Sequence, residues 1–161
     1  MKKYIKIEYT YINYSKDVSE VLNGRDESVT DITINLTSKI TQDNDTETFT
    51  RTAPGNMTED GDIIRISYAE EGAIPVKVLL KDDKLLIRRG VDHNNYSFMK
   101  FVPGEKESCR YVVEGRQMDM VSVTNLLEYT EDEGSHKLRV EYDLFNGLYL
   151  IGNYAVTLIF T

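Results

Sequence analysis

The sequence predicts an all-β fold, an antiparallel up-and-down barrel of about eight to ten strands preceded by a short helix. Two observations lead there. Apolar and polar side chains alternate with a period of two through most of the chain, and turn residues interrupt that alternation about every eight to twelve positions. The connections are also too short for parallel neighbours, which need long crossovers. A long meander exposes two strand edges, and closing it into a barrel removes them.

The first 27 residues read as an N-terminal extension, a strand plus a short helix or a mobile arm. Tyr4 to Tyr11 alternates like a strand, and Ser15 is placed to cap a helix over Lys16–Leu22 that ends at Asn23-Gly24. Residues 28–161 read as one barrel domain, a normal length for a single core in a chain of 161 residues with 40% hydrophobic content. Its first strand, Val29 to Ile40, alternates through Ile32, Ile34 and Leu36. Thr46 to Thr52 is a Thr-rich strand that stops at a Pro54-Gly55 turn, and Asp62 to Ala69 follows. Val76–Leu80 and Leu85–Arg89 flank Lys81-Asp82-Asp83-Lys84, a tight hairpin turn. Tyr96–Val102, Cys109–Val113 and Gln117–Tyr129 come next. The clearest strand is His136–Leu144, with Leu138, Val140, Tyr142 and Leu144 on one face and Lys137, Arg139, Glu141 and Asp143 on the other. Asn146-Gly147 is the strongest hairpin signal and leads into Leu148–Phe160, a strand apolar on both faces.

Composition excludes several functions. A formal net charge of −8 disfavours nucleic-acid binding, which needs a basic surface. One cysteine, Cys109, rules out an internal disulfide and fits a reducing compartment. The basic start Met1-Lys2-Lys3 is not followed by an apolar run of signal-peptide length, and no segment reads as a membrane span, so a cytoplasmic location without membrane association is expected. Tyr is abundant, at 11 residues, and Trp is absent, a balance that suits strands.

Chemistry-bearing motifs are scarce. Two histidines, His93 and His136, with one cysteine do not make a zinc ligand set, and no metal or cofactor is expected. The acidic stretches Asp43–Glu47 and Glu59–Asp62 lack the ligand offsets of a calcium loop. No Gly-x-Ser-x-Gly and no phosphate-cradling glycine loop occurs, and Cys109 in a strand reads as an inert buried thiol. Carboxylates in or beside strands (Glu114, Asp119, Glu128, Glu141, Asp143) would need to converge for glycosidase-like chemistry, but most alternate with apolar residues and so face water. No catalytic residue is assigned. Arg88 and Arg89 lie in a locally basic stretch, and their side chains point to opposite faces of their strand. A cation pointing into a barrel would require a carboxylate or an anionic ligand.

Four stretches in order, Ile87-Arg88-Arg89-Gly90, Met99–Gly104, Tyr111–Gly115 and Leu138–Leu144, resemble a small bacterial family of unknown function that includes the YwiB-like proteins. Arg88, Gly90, Met99, Phe101, Gly104, Tyr111 and Tyr142 match its pattern. The chain departs from the pattern at Tyr111–Gly115, one residue short, and in residues 1–27, which extend beyond the usual start. The resemblance implies a calycin-like, lipocalin-type barrel in the cytoplasm of Gram-positive bacteria, with no established activity. The leading expectation is therefore a non-enzymatic module for a small apolar or amphipathic, anionic ligand. Its cavity-lining candidates are Met99, Phe101, Tyr111, Met118, Met120 and Tyr142, with Arg88 as the anion's partner, though the same residues fit a packed core equally well. The alternative is an interaction or regulatory domain that dimerises through Leu148–Phe160 or the N-terminal extension.

Overall fold

The computed structural model describes residues 29–161 and contains ten strands there. They are β1 (Thr30–Gln42), β2 (Asp45–Asp60), β3 (Ile63–Glu70), β4 (Ile74–Lys81), β5 (Lys84–Asp92), β6 (Asn95–Phe101), β7 (Lys106–Val113), β8 (Arg116–Asp132), β9 (Ser135–Asn146) and β10 (Tyr149–Phe160). Each strand pairs with the next in sequence, always antiparallel, and β1 pairs with β10 to close the barrel. The closing ladder runs from Ile34↔Phe160 to Thr41↔Asn153. Thr33 and Thr161 extend it by exchanging backbone hydrogen bonds of 2.9 and 3.1 Å. The expected up-and-down closed barrel is the observed one. The Tyr4–Tyr11 strand and the Lys16–Leu22 helix lie outside the described residues.

Turn chemistry sets the strand pairing. Glu71-Gly72, Glu114-Gly115 and Glu133-Gly134 each place two consecutive residues at positive φ. That is the backbone of the tight hairpin turn whose twist matches its flanking strands. Gly147 adopts positive φ in the hairpin that Asn146-Gly147 signals.

Two expectations are corrected. Pro54-Gly55 is no turn; β2 runs straight through it to Asp60. Pro54 faces Thr33, whose N–H and C=O are both taken by Thr161, so the missing proline N–H leaves no β1 acceptor unpaired. The Gln117–Tyr129 segment is longer than expected, and a bulge between Thr124 and Leu126 shifts its register against β9. The bulge moves the inward positions from Met120, Ser122 and Thr124 to Leu127 and Tyr129.

An eight-stranded barrel is about the size that ordinary side chains just fill. Ten strands enclose more, and aromatic residues occupy the difference. Phe101, Phe160, Tyr111, Tyr142 and Tyr154 are all buried among the aliphatic residues of the barrel interior. The Tyr142 ring stacks on Tyr154 at 5.0 Å and meets Phe101 at 4.6 Å. Burial pushes the phenols of Tyr111 and Tyr142 well above their ordinary range, with neighbouring tyrosines adding to the effect. Inward positions on the remaining strands are mostly aliphatic, as at Ile34, Ile66, Val78 and Leu85.

Candidate functional site

The barrel wall parts between β2 and β3. The ladder between β2 and β3 covers only Gly55↔Tyr68 to Asp60↔Ile63. Residues Asp45–Pro54 of β2 pair with β1 alone. The reason lies in the sequence. Pro54, whose backbone faces away from β1, has no N–H to offer β3. Gly55 then lets three strands converge, since a Cβ there would lie 2.6 Å from Ile34 Cδ1 and 2.8 Å from the Ser67 carbonyl oxygen. Beyond that hinge β2 leaves β3 and a groove of about 410 Å³ opens. Its walls are Ile34, Leu36 and Ala53 on the apolar side, and Arg51, Thr52, Tyr68, Glu70 and Glu71 on the polar side.

The groove ends on a charge cluster. Arg89 of β5 points inward and meets Glu70 of β3 at 2.7 Å, with side-chain exposures of 6% and 4%. Arg51 of β2 approaches the same carboxylate oxygen at 3.3 Å and Glu71 at 3.4 Å, and is itself a quarter exposed. Glu70 therefore holds two guanidinium groups, one deep and one at the groove. Tyr68 lies beside them; burial, and then the Glu70 charge, raise its phenol far above the ordinary range, against the opposing pull of Arg89 and Arg51. It stays a neutral hydrogen-bonding group at any physiological pH.

Behind the groove, a cavity of about 50 Å³ remains in the barrel centre. It shares Leu36, Tyr68 and Glu70 with the groove, and Ser38, Phe101 and Tyr142 are among its other walls. This volume holds a water molecule or two and no drug-sized ligand.

The predicted residues are distributed as follows. Met99, Phe101, Tyr111, Met120 and Tyr142 are buried inside the barrel, and of these Phe101 and Tyr142 touch the cavity. Tyr111 Oη donates to Met99 Sδ at 2.9 Å, which ties two of them into the core. Met118 shares their parity but sits by the β7–β8 hairpin, 37% exposed. Arg88 is a correction. It lies on the outer face between Lys77 and Phe98, its guanidinium 5.3 Å from the Tyr96 ring centroid, and Arg89 is the inward cation. One residue of parity separates the two, and only the cross-strand register settles it.

Arg51 and Glu70 were not singled out by the sequence. Arg51 sits in a Thr-rich strand and Glu70 in what reads as an acidic turn. The signal was available at Glu70: the alternation Ile64, Ile66, Tyr68 continues to it without a break. The strand carboxylates do not converge on a cleft. Glu128 and Glu141 flank Arg139 on the outer surface, Asp143 bonds Asn125 and Asn153 there, and Glu114 occupies a hairpin turn. Cys109 is buried, and desolvation pushes its thiol up to about 11.

No curated protein matches the chain. Among solved structures, the YwiB protein of Bacillus subtilis is similar, with a TM-score of 0.72 and 19% identity over 83% of this chain and 93% of that one. At that identity the likeness speaks for the fold, a shared barrel. The family described as Domain of unknown function (DUF1934) matches residues 34–158, the span from the first inward residue of the closing ladder in β1 to β10. That span takes in most of the barrel, and the chain belongs to this family.

Proposed function

We propose that this chain is a non-enzymatic binding module whose ligand is a small amphipathic molecule with an anionic head, seated in the groove between β2 and β3. The supporting observation is the partly exposed Arg51 guanidinium at the end of an apolar wall, backed by the buried Glu70–Arg89 pair. The groove volume falls within the range of small-molecule sites. Ile34, Leu36 and Ala53 suit an apolar body, and a carboxylate head would replace the exposed Glu71 at Arg51. A calycin-like barrel ordinarily receives its ligand at the centre; here the filled interior favours the seam instead. The buried, unreactive Cys109 is in keeping with a cytoplasmic setting. A thermal-shift screen of the full chain against fatty acids, haem and acidic metabolites tests the reading. A hit should be lost in Arg51→Ala; a screen without a hit, or a hit indifferent to Arg51, would overturn it.

A second reading has its own support. Val91, Val113, Met118, Leu148, Tyr149 and Leu150 are exposed apolar residues at or beside three hairpins that are neighbours around one rim of the barrel. An apolar arc of this kind suits a homodimer contact. Light scattering at micromolar concentration tests it: a clean monomer, unchanged in Leu148→Lys, sets it aside.

A further inference from the structure

The opposite rim holds a different cluster. Glu131 of β8 and His136 of β9 are direct cross-strand partners beside the β8–β9 hairpin. Glu59 of β2 approaches them across the barrel mouth, since β2 and β8 are not neighbours in the sheet. One ligand atom from each of the three lies within 4.8 Å of the others. The two glutamates are exposed and the histidine is buried.

Three features set this apart from ordinary solvated acids. The imidazole is held from two directions: Nδ1 lies 2.6 Å from Tyr129 Oη, and the ring lies parallel to Phe160 at 4.8 Å. A ligating histidine usually has its second ring nitrogen fixed in this way by a hydrogen-bond partner. The donors are mixed, one nitrogen with two carboxylate oxygens, which suits a first-row transition ion; calcium and magnesium prefer oxygen alone. The two carboxylates are also brought together from strands that the sheet does not join, so like charges meet across the mouth.

We propose that Glu59, Glu131 and His136 form a binding site for a divalent transition ion, with Zn²⁺ the best fit and water as the fourth ligand. Ligand atoms around a tetrahedral zinc lie roughly 3.3 Å apart, so the two exposed glutamates close by rotating their side chains. The ion braces β2 against the β8–β9 hairpin across the mouth. It makes stability depend on free metal, because only the folded chain brings the three ligands together.

The test is calorimetric titration of the chelator-treated full chain with Zn²⁺, alongside visible absorption with Co²⁺. The expected result is one saturable equivalent and the intense bands of tetrahedral Co²⁺. Glu59→Gln and Glu131→Gln should each weaken binding about tenfold or more, and Tyr129→Phe should weaken it less. His93→Gln should leave it unchanged. The exposed glutamate variants keep the test valid if His136→Gln does not fold. Absence of saturable binding overturns the proposal, as does binding that survives both glutamate changes or that Ca²⁺ matches.

Discussion

Replacing Glu70 by Gln removes the carboxylate that Arg89 and Arg51 share. The Arg89 partner is almost fully buried at 2.7 Å, so the loss leaves a guanidinium inside the barrel without that counter-charge. Breaking a buried pair from one side costs about 3–5 kcal/mol. The Arg51 contact adds little, because Arg51 is a quarter exposed and solvent screens it. We therefore expect Glu70→Gln to cost about 3–4 kcal/mol, a large part of the roughly 5–15 kcal/mol that holds a domain together. The corresponding fall in Tm is roughly 6–16 °C at about 2–4 °C per kcal/mol. Glu71→Gln is the control: it is 70% exposed, and should stay within about 0.5 kcal/mol of the parent. Replacing both buried charges, Glu70→Leu with Arg89→Met, should recover most of the loss, since a buried pair exchanged for apolar residues is often close to neutral. Urea unfolding followed by circular dichroism measures all three. A Glu70→Gln loss below about 1 kcal/mol, or equal to that of Glu71→Gln, would show that the pair is not the buried interaction argued for.

Gly55→Ala should destabilise by about 1–3 kcal/mol, because the new methyl meets Ile34 and the rigid Ser67 carbonyl; an unchanged urea midpoint would mean that the three strands part easily at the hinge. Cys109 should resist a thiol reagent at pH 8 in the folded chain and react at once in denaturant, its thiol being buried and raised to about 11; fast labelling of the native protein would contradict this. Stability should fall as pH climbs from the ordinary phenol value of 10.0 toward about 12, because burial raises the folded-state pKa of Tyr154. That contribution is whole below the unfolded pKa and is lost through the folded one. Urea midpoints at pH 9 and pH 11 check it, and equal values would count against it.

How far the fold was legible depended on whether local pattern or long-range register carried the information. Alternation in His136–Leu144 matched β9 because one face is core and the other water, so each residue announces its side. The same logic fails at two places. In β8 the bulge at Asn125 reverses parity midway, and nothing in Val123-Thr124-Asn125-Leu126 marks which residue is extra. At Pro54-Gly55 a pair with strong turn chemistry sits inside a sixteen-residue strand, because its neighbours rather than its propensity decide whether the proline lacks a partner. The charge cluster was half visible. That one of Arg88 and Arg89 must point inward followed from period two alone, but choosing between them required the ladder to β4 and β6. The Glu59–Glu131–His136 group could not be read from spacing, since Glu59 meets the hairpin partners Glu131 and His136 only because the barrel closes.

The filled centre and the open seam are the grounds for placing the proposed ligand in the wall of the barrel rather than at its middle. Aromatic residues on β6, β7, β9 and β10 occupy the interior, so the space a ligand takes in a wider barrel is held here by Phe101, Tyr111, Tyr142 and Tyr154. The buried Glu70–Arg89 pair lies where β2 departs from β3. A buried arginine far from solvent would be a costly choice for a core with abundant aliphatic neighbours. At the seam its partner Glu70 also meets Arg51 and lines the groove. Pro54 and Gly55 fix where the wall parts, and Glu70, held from behind by Arg89, gives that parting a polar wall.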